Sequence, residues 1–151
     1  MPTVQAAREI GAETSAVWAV LDDFGGVDKF NPSVVRARII DGPETGEGAT
    51  RECELDDGGV IHERIVEYVP GSRMVIEFTE LGDMGRIMKS LRGEWSVEAL
   101  DGSRSLAGLR GEFRTKFGPV GWVISKVMLE SMMEDLYGET LDALAEYVED
   151  R

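Results

Sequence analysis

Apolar and polar residues alternate over most of the first 115 positions, after which the period lengthens to that of a helix. Residues 4–10 read as a first strand ending at Gly11. Thr14 or Ser15 is placed to cap a short helix whose Val17, Trp18 and Leu21 share one face. Asp22-Asp23-Phe24-Gly25-Gly26 breaks that helix. A second short one over residues 27–30 has to end before Pro32, because the residue ahead of a proline is pushed out of helical geometry.

From residue 33 the pattern is that of strands. Residues 33–41 carry Val34, Val35, Ile39 and Ile40, with Arg36 and Arg38 spaced by two. Segments 50–55 and 60–68 flank Asp56-Asp57-Gly58-Gly59, and Asp-Gly supplies the positive-φ residue a tight hairpin needs. Pro70-Gly71 turns into 73–79, where Met74, Ile76 and Phe78 alternate with Val75 and Glu77. Segment 86–99 contains Trp95 and Val97 between Glu94, Ser96 and Glu98, and Asp101-Gly102 marks another hairpin before a strand over 103–115. The total is about seven strands joined mostly by short turns.

A helix is expected over residues 119–148, with Pro119 at its first position, where no N–H partner is lost. Beyond Glu130 it is amphipathic, with Met133, Leu136, Thr140, Leu144 and Tyr147 as its apolar stripe and Glu134, Asp135, Glu139, Asp142 and Glu146 opposite. Val120, Trp122, Val123, Ile124, Val127, Met128 and Leu129 leave the first half almost no polar face. Such a segment needs cover on several sides: loops including the 83–88 region, a second subunit in a homodimer, or an apolar ligand. A strand-rich chain closed by one long helix suggests a curved antiparallel sheet gripping that helix. A sheet so wrapped leaves a cavity.

Composition narrows the partners. Sixteen basic against 29 acidic residues give a net charge of −13, with no run of Lys or Arg, so a nucleic-acid partner is not expected. No apolar stretch approaches the roughly 20 residues of a membrane span, and the N-terminus lacks a signal-peptide pattern. A cytoplasmic protein of one domain over residues 1–151 is the expectation. The single cysteine, Cys53, lies between Glu52 and Glu54, which disfavour a thiolate.

Candidate chemistry is sparse. His62 is the only histidine and reads as a surface or edge residue; no serine elbow or metal-ligand spacing accompanies it, so no metal is expected. Gly46-Glu47-Gly48 stops short of a dinucleotide fingerprint, and no cofactor is expected. Gly108 and Gly111 mark a bulge or a close approach of the long helix. Glu63 shares one strand face with Ile61 and Ile65. If that face is interior, Glu63 is a polar group in an apolar cavity, able to orient a ligand hydroxyl or act as a base. If Val60, His62, Arg64, Val66 and Tyr68 face inward instead, it is solvated. Tyr68, Tyr137 and Tyr147 are too scattered to assign.

Several stretches resemble one superfamily: Ala16-Val17-Trp18-Ala19-Val20-Leu21-Asp22-Asp23-Phe24, Asp28-Lys29-Phe30-Asn31-Pro32 and Glu63-Arg64-Ile65-Val66-Glu67 with Pro70-Gly71-Ser72-Arg73. Phe113-Arg114-Thr115-Lys116-Phe117-Gly118-Pro119-Val120-Gly121 and the closing Leu141-Asp142-Ala143-Leu144-Ala145-Glu146-Tyr147-Val148-Glu149 add to it. Together they are similar to the START-like, or SRPBCC, superfamily, and within it to the polyketide cyclase/dehydrase and lipid-transport group. The resemblance implies an α+β helix-grip fold with two short helices after the first strand, and favours an inward Glu63. It implies binding or transport of a hydrophobic or aromatic small molecule. The alternatives are a polyketide cyclase or dehydratase, with Glu63 as acid/base and Arg110 as anion stabiliser, or a protein-partner module. The expected cavity takes Trp18, Phe30, Ile61, Glu63 and Ile65 from the first half of the chain. Ile76, Phe78 and Trp95 come from later strands, and Ile124, Met128 and Met132 from the long helix.

Overall fold

A computed structural model describes residues 3–116 and 119–151, with side chains at 3–116 and 127–151. Strand β1 (Thr3–Ile10) leads to helix α1 (Thr14–Asp22) and a 3₁₀ helix at Phe24–Lys29. Strands β2 (Val34–Asp41), β3 (Thr50–Leu55), β4 (Val60–Val69) and β5 (Arg73–Glu80) follow. A second 3₁₀ helix, Gly82–Arg86, precedes β6 (Met88–Ala99), β7 (Ser105–Thr115) and helix α2 (Pro119–Glu149). The seven strands form one antiparallel sheet in the order β1-β7-β6-β5-β4-β3-β2. Consecutive strands β1 and β2 therefore occupy opposite edges, and the chain crosses between them through α1 and the first 3₁₀ helix.

Alternation decides which strand faces are buried. Leu91, Gly93, Trp95 and Val97 of β6, and Ala107, Leu109, Gly111 and Phe113 of β7, point inward while the residues between them do not. On β4 the inward set is Ile61, Glu63 and Ile65, which settles the two-way reading of that strand. Val17, Trp18, Val20 and Leu21 of α1 complete the core from below. Glu13, not Thr14 or Ser15, holds the N-cap position of α1, and no side chain caps it.

Helix α2 buries Leu129, Met133, Tyr137, Leu141, Leu144, Ala145 and Val148. This stripe is turned slightly from the expected one: Met133, Thr140 and Leu144 are buried as expected, but Leu136 is exposed and Tyr147 half-buried. The helix offers two apolar stripes of similar strength, and the sheet selects between them. Tyr137 fits over Gly111 of β7, where a methyl group would overlap its hydroxyl, so the expected close approach of helix and strand is real at that glycine. At Gly108 the crowding atom is Ser96 Oγ of β6 instead. Two contacts fix the far end of α2 on β1: Arg8 Nη1 to Asp142 Oδ1 at 2.8 Å, and the Gly11 N–H donating to Glu149 Oε2 at 2.7 Å.

Candidate functional site

Between the concave face of the sheet and α2 lies a cavity of about 440 Å³. Its floor is Ile61 and Glu63 of β4, Ile76 and Phe78 of β5, Leu91, Gly93 and Trp95 of β6, and Leu109 of β7. Met132, Met133, Leu136, Tyr137 and Thr140 of α2 form the roof. Gly93 and Gly111 are direct cross-strand partners. The space a side chain would occupy at Gly111 is taken by Tyr137, whereas at Gly93 the nearest atom, Arg110 O, is 3.9 Å away. A paired glycine step in the floor thus gives room to the helix on one side and to the cavity on the other. The exposed lining residues, Asp56, Asp57, Val60, Asp83, Met132 and Leu136, gather where the β3–β4 turn and the second 3₁₀ helix meet α2. The mouth lies there.

Two charged groups are buried in the wall. Glu63 is 7% exposed and Arg51 6%, a burial that isolated charges do not tolerate. They sit opposite each other across β3 and β4, with Arg51 Nε 3.1 Å from Glu63 Oε1. Arg51 Nη1 also donates to the Phe24 carbonyl at 3.0 Å, and its guanidinium stacks 3.9 Å above the Phe24 ring. The arginine thereby joins the first 3₁₀ helix to the sheet while neutralising the cavity carboxylate. Cys53 Sγ donates to the same Glu63 oxygen at 3.5 Å. Burial above all, and then the Glu63 charge, push this thiol up to about 12, so it is an inert hydrogen-bonding group and not a nucleophile. Burial first, and next the charge of Glu63, also raise the phenol of Tyr137 well above its ordinary range. It remains a donor.

The structure brings Ile61, Glu63, Ile76, Phe78, Trp95 and Met132 together around the cavity. Other expected lining residues stand elsewhere. Trp18 is buried in the core against the Tyr68 ring, 5.8 Å between centroids, and Ile65 is wholly buried beyond the cavity wall. Phe30 packs edge-on behind Trp95, at 6.4 Å, and does not reach the main space. Met128 is 67% exposed on the outside of α2 beside Val127, lining only a shallow surface groove with Ile87. Ile124 lies outside the described side chains, as do Val120, Trp122 and Val123. Arg110 points from the outer face of β7 and pairs with Glu112 at 3.1 Å. Alternation along β7 dictates this, since Leu109 and Gly111 are the inward residues, and it removes Arg110 from any role in the cavity. His62 lies on the outer face of β4, 2.9 Å from Glu52. Arg51 and Tyr137 were not foreseen. Their signals were the register of the β3–β4 hairpin and the spacing of Tyr137 four residues from both Met133 and Leu141.

The family model described as polyketide cyclase / dehydrase and lipid transport matches residues 1–149. The chain belongs to this family. No curated protein matches it in sequence. Among solved structures, the Zhui aromatase/cyclase from Streptomyces superposes with a TM-score of 0.81 at 21% identity, covering 99% of this chain and 94% of that one. A Thermobifida fusca protein solved by NMR gives 0.80 at 23% identity, covering 99% and 95%. A START superfamily protein from Mycobacterium smegmatis gives 0.70 at 18%, again covering 99% and 95%. At such identities the likeness establishes the helix-grip fold. Family membership supports a ligand-binding or cyclase role without choosing between them.

Proposed function

We propose that this protein binds a largely apolar, uncharged small molecule, of the size of a fused aromatic ring system, and holds or carries it in the cavity beneath α2. The observation that carries the reading is an apolar space of about 440 Å³ whose one buried carboxylate is already neutralised by its own arginine. A site of this kind removes apolar surface from water at about 25 cal/mol per Å² and needs only a few polar contacts to fix orientation. Trp95 lines the space while Trp18 does not, so Trp95 reports occupancy. Titration with an apolar dye should change tryptophan emission saturably in the wild type, and the change should be smaller in a Trp95→Phe protein. Native mass spectrometry of freshly purified protein should show a bound mass. An absence of both signals would overturn the reading.

A second reading, a cyclase or dehydratase, is favoured by the family description and by the aromatase/cyclase likeness. Glu63 would then be the acid/base, with Tyr137 as hydrogen-bond donor to a substrate carbonyl. Glu63→Gln separates the two. A carrier should lose affinity modestly, whereas an enzyme should lose roughly 10²–10⁴-fold in rate with little change in binding. The apolar residues exposed on α2, Val127, Met128 and Met132, favour contact with a second copy of the chain, which light scattering would detect.

A further inference from the structure

Tyr137 carries a hydroxyl that the fold does not use. Its side chain is 9% exposed, its ring tip rests over Gly111, and its hydroxyl has no hydrogen-bond partner among the described residues. The other two tyrosines are served: Tyr68 donates to Asp22 Oδ1 at 2.5 Å, and Tyr147 accepts from Arg151 Nη1 at 3.3 Å. The hydroxyl is not sealed off: the one sealed and unpaired side-chain oxygen among the described residues is Thr115 Oγ1, whereas Tyr137 opens on the cavity, where water or a ligand can meet its hydroxyl. A phenylalanine would fill the same space over the glycine. The oxygen is therefore unexplained by packing, and it belongs to a residue that lines the cavity.

Glu63 presents a complementary vacancy. Its Oε1 receives both Arg51 Nε and Cys53 Sγ, while Oε2 receives no hydrogen bond among the described residues. The cavity thus offers a hydroxyl able to donate to a ligand oxygen and a carboxylate oxygen able to accept from a ligand O–H. The other polar lining groups near them are already engaged, Arg51 with Glu63 and the Phe24 carbonyl and Thr140 with the Leu136 carbonyl, to which its hydroxyl donates. We propose that Tyr137 and Glu63 together read a hydroxyl group on an otherwise apolar, uncharged ring-bearing ligand, Tyr137 donating to its oxygen and Glu63 accepting its proton-bearing side. This rests on the cavity being a ligand site, and it adds the ligand's chemical class: a phenol or cyclic alcohol, not a bare hydrocarbon and not a carboxylate. A carboxylate would meet the negative charge of Glu63 and offer it no proton.

The test uses naphthol and naphthalene as a matched pair, titrated calorimetrically into wild-type and Tyr137→Phe protein. Wild type should bind naphthol about tenfold more tightly than naphthalene, the discrimination expected of a site built around a hydrogen bond whose groups are otherwise left unpaired. Tyr137→Phe should shrink that preference to about threefold or less. Ligand-free Tyr137→Phe should melt close to the wild-type temperature, since it loses no hydrogen bond to the described residues. Equal affinities for the two probes in wild type would overturn the proposal while leaving the cavity as a ligand site. So would a preference that survives in Tyr137→Phe, or a clear fall in its melting temperature, which would make the hydroxyl structural. Failure of both probes to bind wild type would bring down the cavity reading and this one with it.

Discussion

At the scale of residues, the Arg51–Glu63 pair is the most consequential arrangement in the molecule. Each charge is tolerable inside only because of the other, so removing one partner leaves the second buried and uncompensated. Arg51→Met is expected to destabilise the protein by about 3–5 kcal/mol, read from urea unfolding. Arg51→Met combined with Glu63→Leu should cost much less than the sum of the two single changes, because both desolvation penalties vanish together. Additive costs would mean the pair is not coupled. Glu63 was legible as a candidate from its strand, but its arginine was not, for a definite reason. In the β3–β4 turn the Leu55 N–H bonds Gly59 O, and the turn residue Gly58 has φ +88°. That three-residue loop sets Arg51 opposite Glu63. Two-residue and three-residue turns through Asp56-Asp57-Gly58-Gly59 read alike in sequence, yet they differ by one step of register, and one step moves a side chain to the other face.

At the scale of elements, strands and helices were readable to within a few residues because alternation and helical period are local. What the sequence left open was which of two adjacent stripes α2 buries, a choice made by the partner surface at Gly111 and invisible along the helix itself. The consequence is measurable. Leu141→Ala, at a wholly buried position of the observed stripe, should cost about 2–5 kcal/mol. Leu136→Ala, at the exposed rim of the cavity, should stay within about 1 kcal/mol and act on ligand affinity instead. Equal losses of stability at both positions would contradict this packing of the helix. The sheet offers a parallel contrast. Phe113 is wholly buried in β7 and does not line the main cavity, while Trp95 in β6 already faces empty space. Phe113→Ala should therefore fall within the usual loss of about 3–5 kcal/mol for a buried aromatic, and Trp95→Ala should fall below it.

At the scale of the whole molecule, charge and topology set the terms of use. Part of the acidic surface stands at the mouth, where Asp56, Asp57 and Asp83, the last beside Arg86 at 3.8 Å, line the entrance. An anionic apolar probe such as naphthoate should bind more weakly than its neutral amide, and the gap should narrow as salt screens the exposed mouth charges. A gap unaffected by salt would place the discrimination inside the cavity alone. The acidic surface also holds one carboxyl well down: Asp101 in the β6–β7 turn is lowered to about 2, chiefly by the Ser103 N–H and then by Arg104. With the folded value below the ordinary 3.8, this turn contributes stability above that pH and loses it as pH falls towards about 2. An Asp101→Asn protein should accordingly show a flatter acid limb in its stability profile.

The placement of β1 has a further consequence, for the order of events during synthesis. Among the described residues its strand neighbour is β7, through pairs running from Thr3↔Glu112 to Ile10↔Ser105. At about 5–20 residues per second β1 waits on the order of 5–20 s for this partner to be synthesised. During that interval the sheet can grow only from the β2 side, hairpin by hairpin, towards β6. The nascent chain meanwhile carries β1 unpaired, and a chain stalled before residue 105 should leave β1 open to protease while the β3–β4 hairpin has already formed.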